Sequence, residues 1–217
     1  VQVLLTGKQF KRAFISGANN ILNHRKDVDA LNVFPVPDGD TGTNMSMTSS
    51  AAVRELQVVS DDEDLSIVAA KTAAALLRGA RGNSGVILSL VFRGISNGFK
   101  GKKEVGGKDL AAALTLGKES AYKAVMKPTE GTILTVVRKA AAAAEALASD
   151  DCGAVLDEAY RAAQEALAET PELLPVLKEA GVVDAGGQGF LYILDGIRGY
   201  INEGKFIESN DEASPAK

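Results

Sequence analysis

Leu31-Asn-Val-Phe-Pro-Val-Pro-Asp-Gly-Asp-Thr-Gly-Thr-Asn44 breaks a chain that otherwise reads as helix after helix. Its prolines and glycines punctuate the backbone, and nothing in it alternates like a strand. Before it, Phe10, Phe14, Ile21 and Leu22 share one helical face; after it, Met45, Thr48, Ala52, Leu56 and Val59 do the same. The spacing returns in Leu65, Val68, Thr72 and Leu76, then in Val86, Leu90 and Val91. It returns again in Leu110, Leu114, Gly117 and Ala121, in Ile133, Val137, Ala140 and Ala144, and in Leu156, Ala159, Ala163 and Leu167. The pattern predicts eight main helices, over 8–23, 41–59, 64–78, 85–99, 108–126, 132–148, 151–168 and 187–202. The expected fold class is all-α, an antiparallel bundle in which glycines and the alanine run 140–144 let helices approach closely.

The connections are of two kinds. Those at 60–63, 100–107 and 149–150 are polar and plain. The other four are the stretch quoted above, Arg78-Gly-Ala-Arg-Gly-Asn-Ser-Gly85, Lys127-Pro-Thr-Glu-Gly-Thr132 and Val183-Asp-Ala-Gly-Gly-Gln-Gly189. They join predicted helices 1–2, 3–4, 5–6 and 7–8. Short connections favour antiparallel neighbours, so alternate connections should share one end of the bundle. Each unusual loop also precedes a helix, which would turn four positive helix ends toward one rim, a setting suited to an anion. A short extra helix within 171–180 would disturb that parity.

Each loop has two readings. Asp38-Gly-Asp40 offers two carboxylates at a spacing that suits Mg²⁺, or it is a turn that caps the next helix. Thr43 and Asn44 could cap that helix or donate to phosphate. Gly79-Ala-Arg-Gly-Asn-Ser-Gly85 is an anion-binding nest, with Ser84 near a helix start, or a tight turn between packed helices. Asp184-Ala-Gly-Gly-Gln-Gly189 invites the same pair of readings, and Glu130-Gly-Thr132 reads best as an ordinary N-cap. None matches a P-loop or a nucleophile elbow. His24, the single histidine, is expected as a solvated cation at the end of the first helix, and its solitude argues against Ser-His or Cys-His catalysis.

Composition narrows the field. The chain has 217 residues, 46% of them apolar, and a net charge of -4. That is enough for one domain with a real core, without the basic footprint of a nucleic-acid binder. No apolar run is long enough to span a bilayer. One cysteine, Cys152, forms no internal disulfide and fits a reducing, cytoplasmic setting. Val1 at the start and the polar tail suggest a piece of a longer protein, with a domain over 1–207 and a linker beginning over 208–217.

Blocks 31–44, 78–89 and 180–189 together resemble the N-terminal domain of fatty acid kinase A, related to the L subunit of bacterial dihydroxyacetone kinase. The resemblance covers residues 5–205 and implies a barrel of eight antiparallel helices with a nucleotide site at one rim. It further implies ATP/ADP and one or two Mg²⁺ ions as cofactors. Asp38 and Asp40 would hold metal, with Asn32 the nearest further oxygen donor. Thr41, Thr43 and Asn44 would line the phosphates, and Gly82, Asn83 and Ser84 would grip them from the opposite loop. Thr132, Ile133, Asp184, Ala185 and Gly186 would surround the rest of the nucleotide, and Arg81, or Arg78, would steady transition-state charge. The implied reaction is phosphoryl transfer to a fatty acid carboxylate presented by a separate fatty-acid-binding carrier protein, a step toward phospholipid synthesis. The sequence departs from the dihydroxyacetone kinases in lacking a carboxylate over 31–37 and in having Thr41 where they have histidine. A dihydroxyacetone-type kinase and a non-catalytic ATP-binding module are the competing readings. Dimerisation of the full-length protein is left open.

Overall fold

The computed structural model describes residues 2–210. Ten helices are present among them: α1 (Gly7–Asn23), α2 (Arg25–Leu31), α3 (Thr41–Leu56), α4 (Leu65–Arg78), α5 (Gly82–Gly98), α6 (Gly107–Ala124), α7 (Ile133–Leu147), α8 (Cys152–Leu173), α9 (Pro175–Ala180) and α10 (Ala185–Glu203). The eight expected helices are all there, with ends moved by a few residues. Two additions are short. α2 buries only Val28, too little apolar surface to leave a periodic signature. α9 follows a longer α8, which runs through Pro171. Proline cannot donate to the carbonyl four residues back; that carbonyl, Leu167 O, accepts the Thr170 hydroxyl at 2.7 Å instead.

Helices α1, α3, α4, α5, α6, α7, α8 and α10 pack in chain order, and α10 closes the ring against α1. Small residues make the seams tight. A Cβ on Gly196 would lie 2.5 Å from Gly17 Cα, so α1 and α10 meet backbone to backbone. α5 and α6 meet likewise, since a Cβ on Gly94 would lie 2.2 Å from Leu116 O. Aromatic rings fill the middle: Phe14 meets Phe92 edge-on at 5.2 Å, and Phe10 meets Phe99 at 6.2 Å. Each fully buried ring contributes on the order of 2 kcal/mol of transfer free energy. No helix among the described residues is long and apolar enough to cross a membrane.

The two kinds of connection separate to the two ends of the ring. At the plain end, Leu65 N–H donates to Lys103 O, Gly107 N–H to Asp150 O, and Cys152 N–H to Val3 O. A two-residue antiparallel pairing, Leu5–Thr6 (β1) with Glu104–Val105 (β2), lies among these contacts; nothing in the sequence pattern announced it. Cys152 is buried there, and burial pushes its thiol up to about 12, which makes it unreactive. At the other end α9 leaves and returns without changing sides: Asp184 N–H, just before α10, donates to Thr170 Oγ1 near the end of α8 at 3.1 Å. The parity survives the extra helix.

The chain leaves α10 as a strap along α1. Ile207 N–H donates to Ser16 Oγ, and Asn19 and Asn23 side-chain amides donate to Ile207 O and Glu208 O. The strap holds as far as Asn210, whose N–H donates to Asn23 Oδ1. The remainder of the expected linker, 211–217, lies outside the described residues. His24, expected as a solvated cation, is not simply exposed to solvent: its ring stacks on Tyr192 at 4.2 Å, and Nδ1 hydrogen-bonds Asn20 O at 2.8 Å.

Candidate functional site at the glycine-rich rim

α2 crosses the start of α3 so closely that a Cβ on Gly42 would lie 2.1 Å from Arg25 O. That crossing sets two side chains against the first turn of α3. Asn32 Oδ1 accepts the N–H groups of Asp40 at 3.0 Å and Thr41 at 3.2 Å, while Asn32 Nδ2 donates to Val36 O. The Asp29 carboxylate accepts Thr43 N–H at 2.8 Å and the Thr43 hydroxyl at 2.7 Å. Asp40 sits at the N-cap position of α3 but makes no side-chain cap. Capping has been taken over by its neighbours, which disposes of the reading of Asp38-Gly-Asp40 as a turn that merely caps a helix.

The carboxylates of Asp38 and Asp40 face each other instead. Gly39, at φ 66, supplies the left-handed turn that brings them round. The Asp38 carboxyl within hydrogen-bonding reach of Asp40, with partial burial and like-charge repulsion, raises the Asp40 pKa above the usual carboxylate value; Asn44 opposes this. A carboxylate whose proton affinity is raised by a second carboxylate beside it marks a place that favours a cation. Among the described residues no third histidine, cysteine or acidic side chain completes a metal cluster. Two carboxylates with room for water and phosphate oxygens is the donor set typical of Mg²⁺.

Across from them the α4–α5 turn closes in. Thr48 Oγ1 accepts Arg81 N–H at 3.0 Å and donates to Asn44 O at 2.7 Å, so α3 holds the turn directly. A Cβ on Gly82, at φ 66, would lie 2.6 Å from Asn44 Nδ2. The result is a hollow of about 180 Å³ that brings together Asn32, Asp38, Asp40, Thr41, Asn44, Gly82, Asn83 and Ser84. Arg81 occupies the N-cap position of α5 and has no acceptor to offer, so its side chain does not cap the helix. First-turn amides left without a cap suit an anion.

Other expected residues stand elsewhere. Thr43 is spent on Asp29 and turns away from the hollow, because residues two apart on a helix do not share a face. Asn32, expected as an oxygen ligand, has its Oδ1 engaged by two N–H groups. Arg81 lines a neighbouring depression, not the hollow, and Arg78 pairs with Glu55 at 3.5 Å on the surface. Thr132, Ile133, Asp184 and Ala185 are each at most 9% exposed. Thr132 caps α7. Asp184 caps α10 by accepting Gly187 N–H at 2.8 Å and also accepts Ile133 N–H, so one carboxylate serves two helix ends. Burial pushes its pKa up to about 6. Gly186 lies directly behind Ser84, where a Cβ would come 3.0 Å from Ser84 Oγ. Four helix ends were expected to serve an anion. Two of them, α7 and α10, carry their own caps, and the first-turn amides of α3 are taken by Asn32 and Asp29, which leaves α5 as the uncapped end at the hollow. The residues that sequence reasoning missed are Asp29 and Thr48. Thr48 was legible only as a core position, and Asp29 belongs to the unforeseen α2.

Comparison with known proteins agrees with this architecture. A family model described as the DAK2 domain matches residues 35–199. The chain is 50% identical over 194 residues to the Bacillus subtilis protein YloV, covering 88% of this chain and 35% of that protein. It is 44% identical over 210 residues to an uncharacterized protein of Staphylococcus haemolyticus, covering 96% of this chain and 38% of that one. The chain thus spans little more than a third of these relatives' length. Dihydroxyacetone kinase from C. freundii, solved in complex with AMP-PNP and Mg²⁺, shares the fold at a TM-score of 0.65 and 18% identity, over 87% of this chain and 33% of that one.

Proposed function

The chain belongs to the DAK2 domain family, and from that premise we propose that it is the ATP- and magnesium-using phosphotransferase domain of a fatty acid kinase. The observation that carries this reading is the Asp38–Asp40 pair, released from capping and set against the uncapped start of α5. Asp38 and Asp40 would hold Mg²⁺, which would neutralise phosphate charge. Asn83, Ser84 and the α5 amides would orient the triphosphate, with Asn44 and Thr41 opposite. Phosphoryl transfer depends mainly on alignment and charge neutralisation, which suits a site of this composition.

The proposed acceptor is a fatty acid carboxylate delivered by a separate fatty-acid-binding carrier protein, giving an acyl phosphate. A carboxylate is already ionised at neutral pH and needs no general base. That agrees with a hollow whose lining includes no histidine. In isolation this domain is expected to bind ATP with little or no turnover.

The test has two arms. By calorimetry, Asp38→Asn and Asp40→Asn should each weaken magnesium-dependent ATP binding at least about tenfold, or about 1.4 kcal/mol; unchanged affinity removes the metal assignment. In the full-length protein, ATP and carrier-bound oleate should give an acyl phosphate that hydroxylamine traps as a hydroxamate. Turnover with dihydroxyacetone alone would replace the acceptor, and ATP binding with neither product would make this a non-catalytic nucleotide module.

A further inference from the structure

An aspartate at the position before a helix ordinarily turns its own carboxylate onto the second or third amide of that helix. Asp184 does this at α10, accepting Gly187 N–H at 2.8 Å, and Asp151 does it at α8, accepting Gly153 N–H at 3.1 Å. Both have extended backbone, with ψ 125 and 112. Asp40 stands in the same position before α3, and its carbonyl accepts Asn44 N–H at 2.8 Å as a cap's should. Yet its ψ is 4, and its side chain caps no amide. The third amide of α3, Thr43 N–H, is held by one oxygen of Asp29, whose other oxygen accepts the Thr43 hydroxyl. Asp29 lies on α2 and does not line the hollow.

We propose that Asp29 is a positioning residue for the cation: by occupying Thr43 it keeps Asp40 out of the helix cap and leaves that carboxylate beside Asp38, free for the metal. The inference rests on the magnesium reading of the Asp38–Asp40 pair above. Two carboxylates compete for one amide. A helix start favours negative charge, so withdrawing Asp29 opens Thr43 N–H to Asp40, the aspartate next to it in the chain. A carboxylate that has accepted an amide has less to offer Mg²⁺. Asp29 is not itself a ligand in this arrangement, since both its oxygens are engaged by Thr43. Its grip is rigid because α2 and α3 touch backbone to backbone, at Arg25 O and Gly42.

The test titrates the purified protein with ATP by calorimetry, once in magnesium and once in EDTA. Asp29→Ala should cut the gain in affinity that magnesium brings by roughly tenfold, as loss of a group that orients a metal ligand does, and leave affinity in EDTA unchanged. Asp29→Asn can still accept Thr43 N–H through its oxygen and donate to the Thr43 hydroxyl through its nitrogen, so it should keep most of the wild-type gain. In an Asp40→Asn background, Asp29→Ala should cost nothing further, because both residues act through one carboxylate. Equal losses in Asp29→Asn and Asp29→Ala would overturn the inference, since they would mean direct ligation or charge alone. So would an equal loss in EDTA, the mark of a collapsed loop, or a wild-type magnesium gain in Asp29→Ala. Should Asp29→Ala fail to fold, Thr43→Val loosens the same grip from the helix side: a reduced magnesium gain supports the inference and an unchanged one overturns it. All these outcomes leave the magnesium reading standing. A wild type that binds ATP equally well in magnesium and in EDTA removes that reading, and the role of Asp29 with it.

Discussion

Asn32 Oδ1 accepts the N–H groups of both Asp40 and Thr41, at 3.0 and 3.2 Å, and so caps a helix that begins nine residues later in the chain. Asn32 is itself buried, and its amide nitrogen holds Val36 O on the far side of the same loop. One side chain thus pins both limbs of the 32–40 loop and leaves the carboxylates between them uncommitted.

Asn32→Ala should therefore act on stability before it acts on binding. Two N–H groups lose their acceptor, at a cost on the order of 1–3 kcal/mol. Urea unfolding without metal or nucleotide measures this directly. Asn32→Asp, which keeps an acceptor oxygen in place, should recover most of the loss. If Asn32→Ala unfolds like the wild type under those conditions, the clamp is not what holds the loop.

Gly82 joins two constraints at one Cα. Its φ of 66 costs a side-chain-bearing residue on the order of 1 kcal/mol, and a Cβ there would meet Asn44 Nδ2 at 2.6 Å. Gly82→Ala should displace Asn44 at an exposed rim, with a small change in melting temperature. The larger effect, expected at roughly tenfold or more, is on ATP affinity, since it is the alignment of the two loops that shifts. Calorimetry on the purified variant checks it, and a fall in melting temperature with intact affinity would contradict it.

Asp184 makes stability depend on pH in an unusual direction. Burial raises its folded pKa from 3.8 to about 6, so the folded protein holds that proton more tightly than the unfolded chain does. Below about pH 4 both states are protonated and no penalty arises. Between about pH 4 and pH 6 the unfolded chain ionises first, and this group's contribution to stability falls as pH rises. Above pH 6 the penalty is complete, on the order of 3 kcal/mol. Asp184→Asn keeps a capping oxygen for Gly187 N–H without the charge. Chemical denaturation of both proteins from pH 4 to 7.5 should show the variant gaining on the wild type up to about pH 6, then running parallel. A constant difference across that range would mean that Asp184 does not titrate there.

The legible part of this molecule was its helices and their order. Phe10 and Phe14, or Val68 and Leu76, advertise a buried face through spacing alone, because a helix repeats its orientation every 3.6 residues. The 25–31 segment gave no such signal: Val28 is its one buried residue, and its structural work is done by Asp29, whose partner Thr43 lies 14 positions away. Thr170 is a similar case. It reads as one more polar residue before a proline, yet it both relieves Pro171 and anchors the turn to α10.

Local chemistry determined where the chain must be helical, where it must turn, and that four unusual turns alternate with three plain ones. It could not determine which oxygens in those turns stay uncommitted. Whether Asp40 caps its own helix depends on whether Asn32 and Asp29 arrive first, and that is decided by α2 crossing α3 at backbone contact. Hydrogen bonds between distant residues carry no sequence period, so only the folded chain assigns them.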